Sequence, residues 1–419
     1  MANYTKVGTI TAAGSTGDEV VTGLGFTPSA VVFIWNPTVT AEDTKVSDVY
    51  LGLGVFADDG NGIQEWSQYI FADDNGSAGV VKSAFSGTKC LSSNGNGEAD
   101  AVSLDSDGFT INWSTAPANG QIVYWMAYNS AIFEASAGTM TLPAYPGSVT
   151  VSGLPFAPSA LLVGAADATS AFSIGISANH GDPTSPSGTN QEAIGLGGWT
   201  YAGVQYGQEA DTQGGASYDM IAWRMSSNLF GGGTPQIWNR DQWNSDGFRI
   251  SANAGSWFNV TVAAGYLALR PTNDAIHRSL AKYTGHTASS PYATTGIWPL
   301  SGFLVTAAGN AGNGPYMVAL GLVDDDLTQK SCFVASDSAV APSSSFMFSD
   351  SNEAIKGGDS TAGTDTVSLS ASISDWGDEE LSISRSVSTT DRRWYGLLFG
   401  SIDGTDGLAR FVPNIFRRW

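Results

Sequence analysis

One phrase constrains this chain more than any other. Asp107-Gly108-Phe109-Thr110-Ile111-Asn112-Trp113 returns as Asp246-Gly247-Phe248-Arg249-Ile250, with a looser echo at Asp375-Trp376-Gly377 followed by Leu381-Ser382-Ile383. Asp-Gly is turn chemistry, since glycine takes a left-handed backbone without a Cβ penalty. The residues after the turn alternate, placing Phe109, Ile111 and Trp113 on one face of a strand and Thr110 and Asn112 on the other. A turn and strand stated three times mark a chain built from repeated β units.

Other markers keep the same order. Gly25-Phe26-Thr27-Pro28-Ser29-Ala30-Val31-Val32 is matched by Leu154-Pro155-Phe156-Ala157-Pro158-Ser159-Ala160-Leu161, and in degraded form by Ile297-Trp298-Pro299-Leu300. Each proline stands just before a strand, where its missing N–H does no harm. The continuous apolar run that follows predicts a strand buried on both faces. Next come strands carrying small residues, at Gly52, Gly54, Gly175 and Gly321, which predict close approach of another backbone or of a large side chain. Gln64-Glu65 and Gln191-Glu192 recur after them, with Gln329 alone in the third unit. Ala101–Leu104, leading into the Asp-Gly turn, is matched to Thr366–Leu369. Apolar closing strands run over 122–128, 262–269 and 394–399.

Helical periodicity is nearly absent. Ser130–Ala135 and Asp274–Lys282 could each form a turn or two of helix, and their positions make them linkers. The expected fold is therefore all-β: three tandem β-sandwich, jelly-roll-like domains with short linkers and a C-terminal arm. The boundaries are 1–134, 135–272, a divergent 273–402, and the arm at 403–419.

Composition bears mainly on partners. Charged residues are only 14% of 419, and the net charge is −21. No Lys or Arg occurs between Lys89 and Arg224. Such a chain is repelled by phosphate backbones and by anionic lipid, so neither nucleic acid nor membrane is an expected partner. The first residues lack the apolar core of a signal peptide, and no apolar run approaches the length of a spanning helix. A soluble protein made in a cytoplasm is the expectation. Two cysteines, Cys90 and Cys332, exclude a disulfide framework and read as buried thiols.

Three sets of residues are candidate sites. Asp58, Asp59, Asp73, Asp74, Asp324 and Asp325 could offer oxygen ligands to Ca²⁺, but their spacing fits no EF-hand loop, and these are also hairpin-turn words. The turn reading is adopted, so no metal and no cofactor is expected. Trp199, Tyr201, Trp238 and Trp243 stand among Asn, Asp and Gln and could stack on sugar rings, but covering a sheet edge or packing against a neighbour is the favoured reading. Residues 408–419 reverse the charge of the chain, with Arg410, Phe411, Ile415, Phe416, Arg417, Arg418 and Trp419 and no acid. Arginine and tryptophan favour a docking arm, although an arm folded back on its own acidic body would show the same composition. No zinc motif, nucleophile elbow or phosphate loop occurs, and no carboxylate pair is placed across a cleft, so no catalytic residue is assigned and an enzyme is not expected.

The repeated words at Gly25–Val32 and Val102–Trp113 resemble a β-sandwich module of structural proteins of tailed bacteriophages, found in head-decorating, fibre and tail-appendage chains. The resemblance covers most of residues 5–130 and 146–270 and thins over 280–400. It implies a non-enzymatic virion protein on the particle surface, decorating or projecting from the head, homo-oligomeric and attached to other virion proteins. A tail protein recognising host surface glycan is the alternative, and a capsule depolymerase stands behind it.

Overall fold

The computed structural model describes residues 4–47, 49–72, 81–166, 172–179, 191–201, 204–210, 220–224, 236–253, 261–272, 276–283, 291–293, 298–308, 316–336, 345–361, 364–376, 380–388 and 394–401. Every regular element among them is a β-strand. The first repeat contains β1 (Thr5–Thr11), β2 (Gly17–Thr22), β3 (Pro28–Trp35), β4 (Lys45–Ser47), β5 (Val49–Asp58), β6 (Ile63–Ala72), β7 (Val81–Ser86), β8 (Glu98–Asp105), β9 (Gly108–Thr115) and β10 (Ile122–Asn129). The second contains β11 (Phe133–Leu142), β12 (Ser148–Val151), β13 (Ala160–Ala166), β14 (Phe172–Asn179), β15 (Gln191–Tyr201), β16 (Val204–Ala210), β17 (Met220–Arg224), β18 (Gln236–Asn244), β19 (Gly247–Asn253) and β20 (Val262–Pro271). The third contains β21 (Ile276–Tyr283), β22 (Pro291–Ala293), β23 (Trp298–Ala308), β24 (Tyr316–Val323), β25 (Gln329–Ser336), β26 (Ser345–Asp350), β27 (Ile355–Thr361), β28 (Thr364–Trp376), β29 (Glu380–Ser388) and β30 (Trp394–Ser401).

These strands form six antiparallel sheets in three pairs. The larger, inner sheets run β1-β10-β3-β5-β6-β7, β11-β20-β13-β14-β15-β16 and β21-β30-β23-β24-β25-β26-β4. The smaller, outer sheets run β2-β9-β8, β12-β19-β18-β17 and β22-β29-β28-β27. The same strand order thus occurs three times, consistent with multiple β-sandwich domains, and the third repeat keeps it although its sequence markers are the weakest. The described residues of Ser130–Ala135 and Asp274–Lys282 are not helical. They lead into β11 and β21, the opening strands of the second and third inner sheets. Small residues at both faces of Phe133–Leu142 hide the alternation that would mark it as a strand.

Between each inner and outer sheet lies an apolar layer. The first holds Phe33, Phe56, Phe109, Ile111 and Trp125. The second holds Leu161, Val163, Phe248 and Ile250, and the third Leu304, Ala319, Phe333 and Ile373. A fourth cluster draws on all three repeats, including Val32, Leu53 and Tyr128, Leu162, Ile174 and Leu269, and Val305, Leu320 and Phe399. It lies on the opposite face of the inner sheets, so β3, β10 and β13 are buried along their whole length. Tyr128, Phe133 and Phe399 meet edge to face there, with centroids 5.0 to 6.0 Å apart.

The repeated turn has a mechanical role. The Asp107 carboxylate accepts the N–H groups of Gly23 at 3.0 Å and Gly25 at 2.6 Å, and its carbonyl accepts Leu24 N–H at 3.1 Å. Asp246 repeats this with Gly153 N–H at 3.1 Å and Leu154 N–H at 3.0 Å. The turn therefore fixes the segment that carries Phe26 or Phe156 into the core. Its glycine serves close approach: a Cβ on Gly108 would collide with the Val21 carbonyl, and one on Gly247 with the Val151 carbonyl.

Inner and outer sheets are also tied at equivalent points. Glu65 accepts the Ala101 N–H at 2.7 Å, while Gln329 accepts the Ile373 N–H at 2.7 Å and donates to its carbonyl at 2.8 Å. Ala101 pairs with Ile111 and Ile373 with Ile383. The counterpart of Ala101 is thus Ile373, which corrects the match to Thr366–Leu369; the Val-Ser-Leu wording there sits further up β28. In the second repeat Ala193, not Glu192, takes this register position, and Arg240 bonds the Ser177 hydroxyl from the outer sheet at 3.1 Å.

The small residues in the strands admit backbone. A Cβ at Gly54 would strike the Cys90 carbonyl, and one at the equivalent Gly321 the Ala354 carbonyl. Gly54→Ala should destabilise the chain by about 1–3 kcal/mol or more, because a carbonyl cannot swing aside as a side-chain tip can. Thermal unfolding followed by circular dichroism checks this, with Ala57→Gly on the same strand as the control that introduces no collision.

Candidate functional site

The most elaborate chemistry of the molecule lies where the repeats meet. Trp66, on β6 of the first repeat, projects onto the inner sheet of the second. It sits over Gly164 and Gly265, which face each other across β13 and β20. Its indole N–H donates to the Tyr266 carbonyl at 2.9 Å, and Phe85 stacks on its other side at 6.2 Å. Gln68, two residues on, donates to the Ser173 carbonyl at 3.0 Å. Trp66, Ser67 and Gln68 are fully buried. Only the absence of two cross-strand side chains makes room for the indole.

The joint between the third and first repeats uses the same positions with different side chains. Lys330 is the register counterpart of Trp66, and Tyr124 that of Gly265. The Lys330 ammonium lies 5.0 Å from the centre of the Tyr124 ring and pairs with Glu42 at 2.9 Å. The first repeat adds a clip. β4 pairs with β26 and becomes the seventh strand of the third inner sheet. Asn36 donates to the Tyr50 carbonyl at 2.5 Å and accepts the Ser349 hydroxyl at 2.8 Å, while Asp43 takes the Ser351 hydroxyl at 2.9 Å.

The acidic candidates fall into this scheme. Asp58 accepts the Gly60 and Gly62 N–H groups at 2.8 and 3.1 Å, closing the turn after β5. Asp59 accepts the Asn61 N–H at 3.1 Å and, from the second repeat, the Ser136 hydroxyl at 2.8 Å. Asp324 accepts the N–H groups of Asp326 and Thr328 at 3.1 and 2.8 Å, and the Val7 N–H of β1 at 2.9 Å. Asp325 accepts the Tyr4 N–H at 3.3 Å. These carboxylates therefore bind backbone and hydroxyl donors at turns and joints. Asp73 and Asp74 lie outside the described residues. Among the described residues, no group of three or more His, Cys, Asp or Glu could hold a metal ion.

Burial sets the acid–base behaviour of the joint. The Asp325 carboxyl is pushed up to about 6 by burial, helped by its neighbours Asp324 and Asp326 and opposed by its backbone hydrogen bonds. Asp324 is raised for the same first cause, as is Glu65. The Cys332 thiol is pushed up to about 12 and Cys90 well above its ordinary value, so both are inert thiols packed in cores.

The aromatic candidates divide. Trp238 and Trp243 are 1% and 4% exposed and belong to the core of the second repeat. Trp238 donates to the Pro143 carbonyl at 2.7 Å, and Arg240 lies 5.0 Å from the Trp243 ring. Neither offers a ring face to a sugar. A bulge at Asp241 returns Trp243, five residues on, to the core face that holds Trp238, and the buried Arg240 shares that face, so polar neighbours in the sequence do not mark an exposed face here. Trp199 and Tyr201 stand on β15, opposite Tyr206 and Val204, with side chains outside the described set. Arg410, Phe411, Ile415, Phe416, Arg417, Arg418 and Trp419 also lie outside the described residues. Lys330, Glu42 and Asn36 escaped the sequence reading altogether. The signal for Trp66 was present as the isolated glycines of strands 160–166 and 262–271.

No family model and no curated protein matches the chain. Among solved structures, a crystal structure of a candidate AttH from Nitrosomonas europaea is 8% identical over 89% of this chain and 92% of that one, with a TM-score of 0.14. A likeness at that level carries no argument.

The joint gives a pH prediction. A carboxyl whose value is raised in the folded state holds its proton more tightly there than in the unfolded chain, where it titrates near 3.9. Its contribution to stability is thus fully present below the unfolded value and lost as pH rises through about 6. Acidification from about pH 7 to about pH 5 should raise the thermal midpoint. Asp325→Asn, which keeps an oxygen for the Tyr4 N–H but cannot ionise, should raise the midpoint near pH 7 and flatten the slope. Calorimetry of both proteins across that range checks it; a substitution that lowers the midpoint at both ends contradicts the assignment.

Proposed function

We propose that this chain is a non-enzymatic structural protein of the surface of a phage particle, decorating or projecting from the head as a single-chain ring of three jelly-roll-like sandwiches. The observation that carries the reading is the shared core. Three repeats enclose one apolar cluster and close on each other through Trp66, Lys330 and the β4 clip. Closure of this kind yields a rigid body whose outer sheets all face outward, which suits an appendage that presents surface.

The placement of the candidate groups supports the same direction. Carboxylates that could have lined a cleft are used at turns and joints, and Trp238 and Trp243 are core residues. The resemblance of Gly25–Val32 and Val102–Trp113 to phage virion modules supplies the particle. Other virion proteins are the partners in this reading, with residues 403–419 as the attachment segment.

Immunogold electron microscopy of the parent phage, with antibody raised to the folded chain, tests it. Gold over the capsid is the expected result. Gold at the tail tip would replace decoration with host recognition, and particles free of gold would overturn the virion reading.

A further inference from the structure

At one place on the outer sheets the three repeats differ in a way that folding does not demand. Each outer sheet carries a bulge at the same register: Val102 between Ala101 and Ser103, Asp241 between Arg240 and Gln242, and Ser374 between Ile373 and Asp375. In the second repeat Asp241 accepts the Arg249 guanidinium at 2.9 Å and the Ser251 hydroxyl at 2.6 Å, so the position is satisfied from within. In the first repeat that ion pair is gone. Val102 replaces Asp241, Thr110 replaces Arg249, and Val20 replaces Thr150.

The result is an apolar face open to solvent. Val20 is 58% exposed and Val102 is 47% exposed, while Thr110 between them is 8% exposed. β2, β8 and β9 contain no Lys or Arg; Asp18 shares the face of Val20, and Glu98, Asp100 and Asp105 stand along β8, with Lys89 paired to Asp100 at 2.6 Å. An apolar centre with an acidic rim is the surface a basic, aromatic segment would cover.

The chain contains one such segment. The eighteen residues after Ser401 include a stretch, 408–419, with Arg410, Arg417, Arg418, Phe411, Phe416 and Trp419 and no acid, in a protein of net charge −21. At about 3.3 Å per residue, eighteen residues span up to about 60 Å. They leave the body from β30, whose Phe399 packs at the shared core against Tyr128 and Phe133, whereas the Val20–Val102 face looks away from that core on the far side of the first sandwich. That reach is enough to span to a neighbouring molecule.

We propose that the outer face of the first repeat, centred on Val20 and Val102, docks residues 408–419 of a second copy, linking copies head to tail. The contact is heterologous: each copy offers one face and one segment, so association can continue past the dimer. It stands whether or not the chain belongs to a virion.

Sedimentation velocity over about a hundredfold range of concentration tests the proposal. Wild-type protein should associate with rising concentration, and less so in high salt. Val20→Glu/Val102→Glu and Arg417→Glu/Arg418→Glu should each weaken association at least tenfold while leaving the thermal midpoint unchanged; Val20 and Val102 are exposed. A mixture of the two variants has one intact face and one intact segment, and should give a two-copy complex and nothing larger. Wild-type protein that stays monomeric throughout, as it would if the segment covered its own body, overturns the proposal. So does association that neither variant weakens, or a mixture that forms no complex.

Discussion

The constraint on which this structure depends is that its central strands are apolar on both faces. β3 and β10 are buried at every residue, as is β13. A sandwich covers one face of such a strand with its partner sheet and leaves the other to water. Here the first face meets the outer sheet, and the second meets the inner sheets of the other two repeats. At roughly 25 cal/mol per Å² of apolar surface, leaving several strands half exposed would outweigh the net stability of an ordinary domain. One sandwich of this kind is incomplete, and three around a shared core are complete. Closure is thus a consequence of strand composition.

Two of the joints join repeats that are neighbours in sequence. The joint between the third and the first is made by contact alone, and it carries added devices. β4 covers the edge of β26, which removes an unpaired strand edge. Asp324 and Asp325 accept N–H groups from β1, and Lys330 bridges Glu42 and Tyr124. The side chains differ from joint to joint at matched positions: an indole over two glycines in one, an ammonium over a phenol ring in the other. Exchanging the knobs would put Trp66 against Tyr124, or Lys330 into a glycine-floored apolar seat. Such mismatches specify which repeat follows which, something three identical subunits could not encode.

The sequence was most legible where local chemistry decides structure. Asp107-Gly108 and Asp246-Gly247 announce the turn, and the alternation of Phe109, Ile111 and Trp113 announces the strand. The glycine inside β5 announces close approach, and the Cys90 carbonyl is what approaches. It was least legible where meaning depends on a partner far along the chain. Nothing beside Trp66 foretells Tyr266, and nothing beside Lys45-Val46-Ser47 foretells Phe346-Met347-Phe348. Trp238 and Trp243 stand among polar residues in sequence, yet the bulge at Asp241 turns both to the core, with the buried Arg240 beside them. Small residues in Phe133–Leu142 hid a strand inside what looked like a helical linker, because alanine and glycine carry no strong period of either kind.

Divergence among the repeats therefore has two expressions. Inside the ring, changes at matched positions build distinct joints and fix the order of the modules. On the outer sheets a matched bulge reads Asp241 in one repeat, Ser374 in another and Val102 in the first. The interior changes follow from packing, since each must fit the surface it meets. The surface change has no such cause: the second repeat shows that the position can be satisfied by an ion pair with Arg249 and a hydroxyl from Ser251. A valine there still leaves 47% of its surface in water, an apolar patch beside carboxylates. When a duplicated scaffold offers a self-satisfied version of a site and one repeat lacks it, the difference points to a contact outside that repeat.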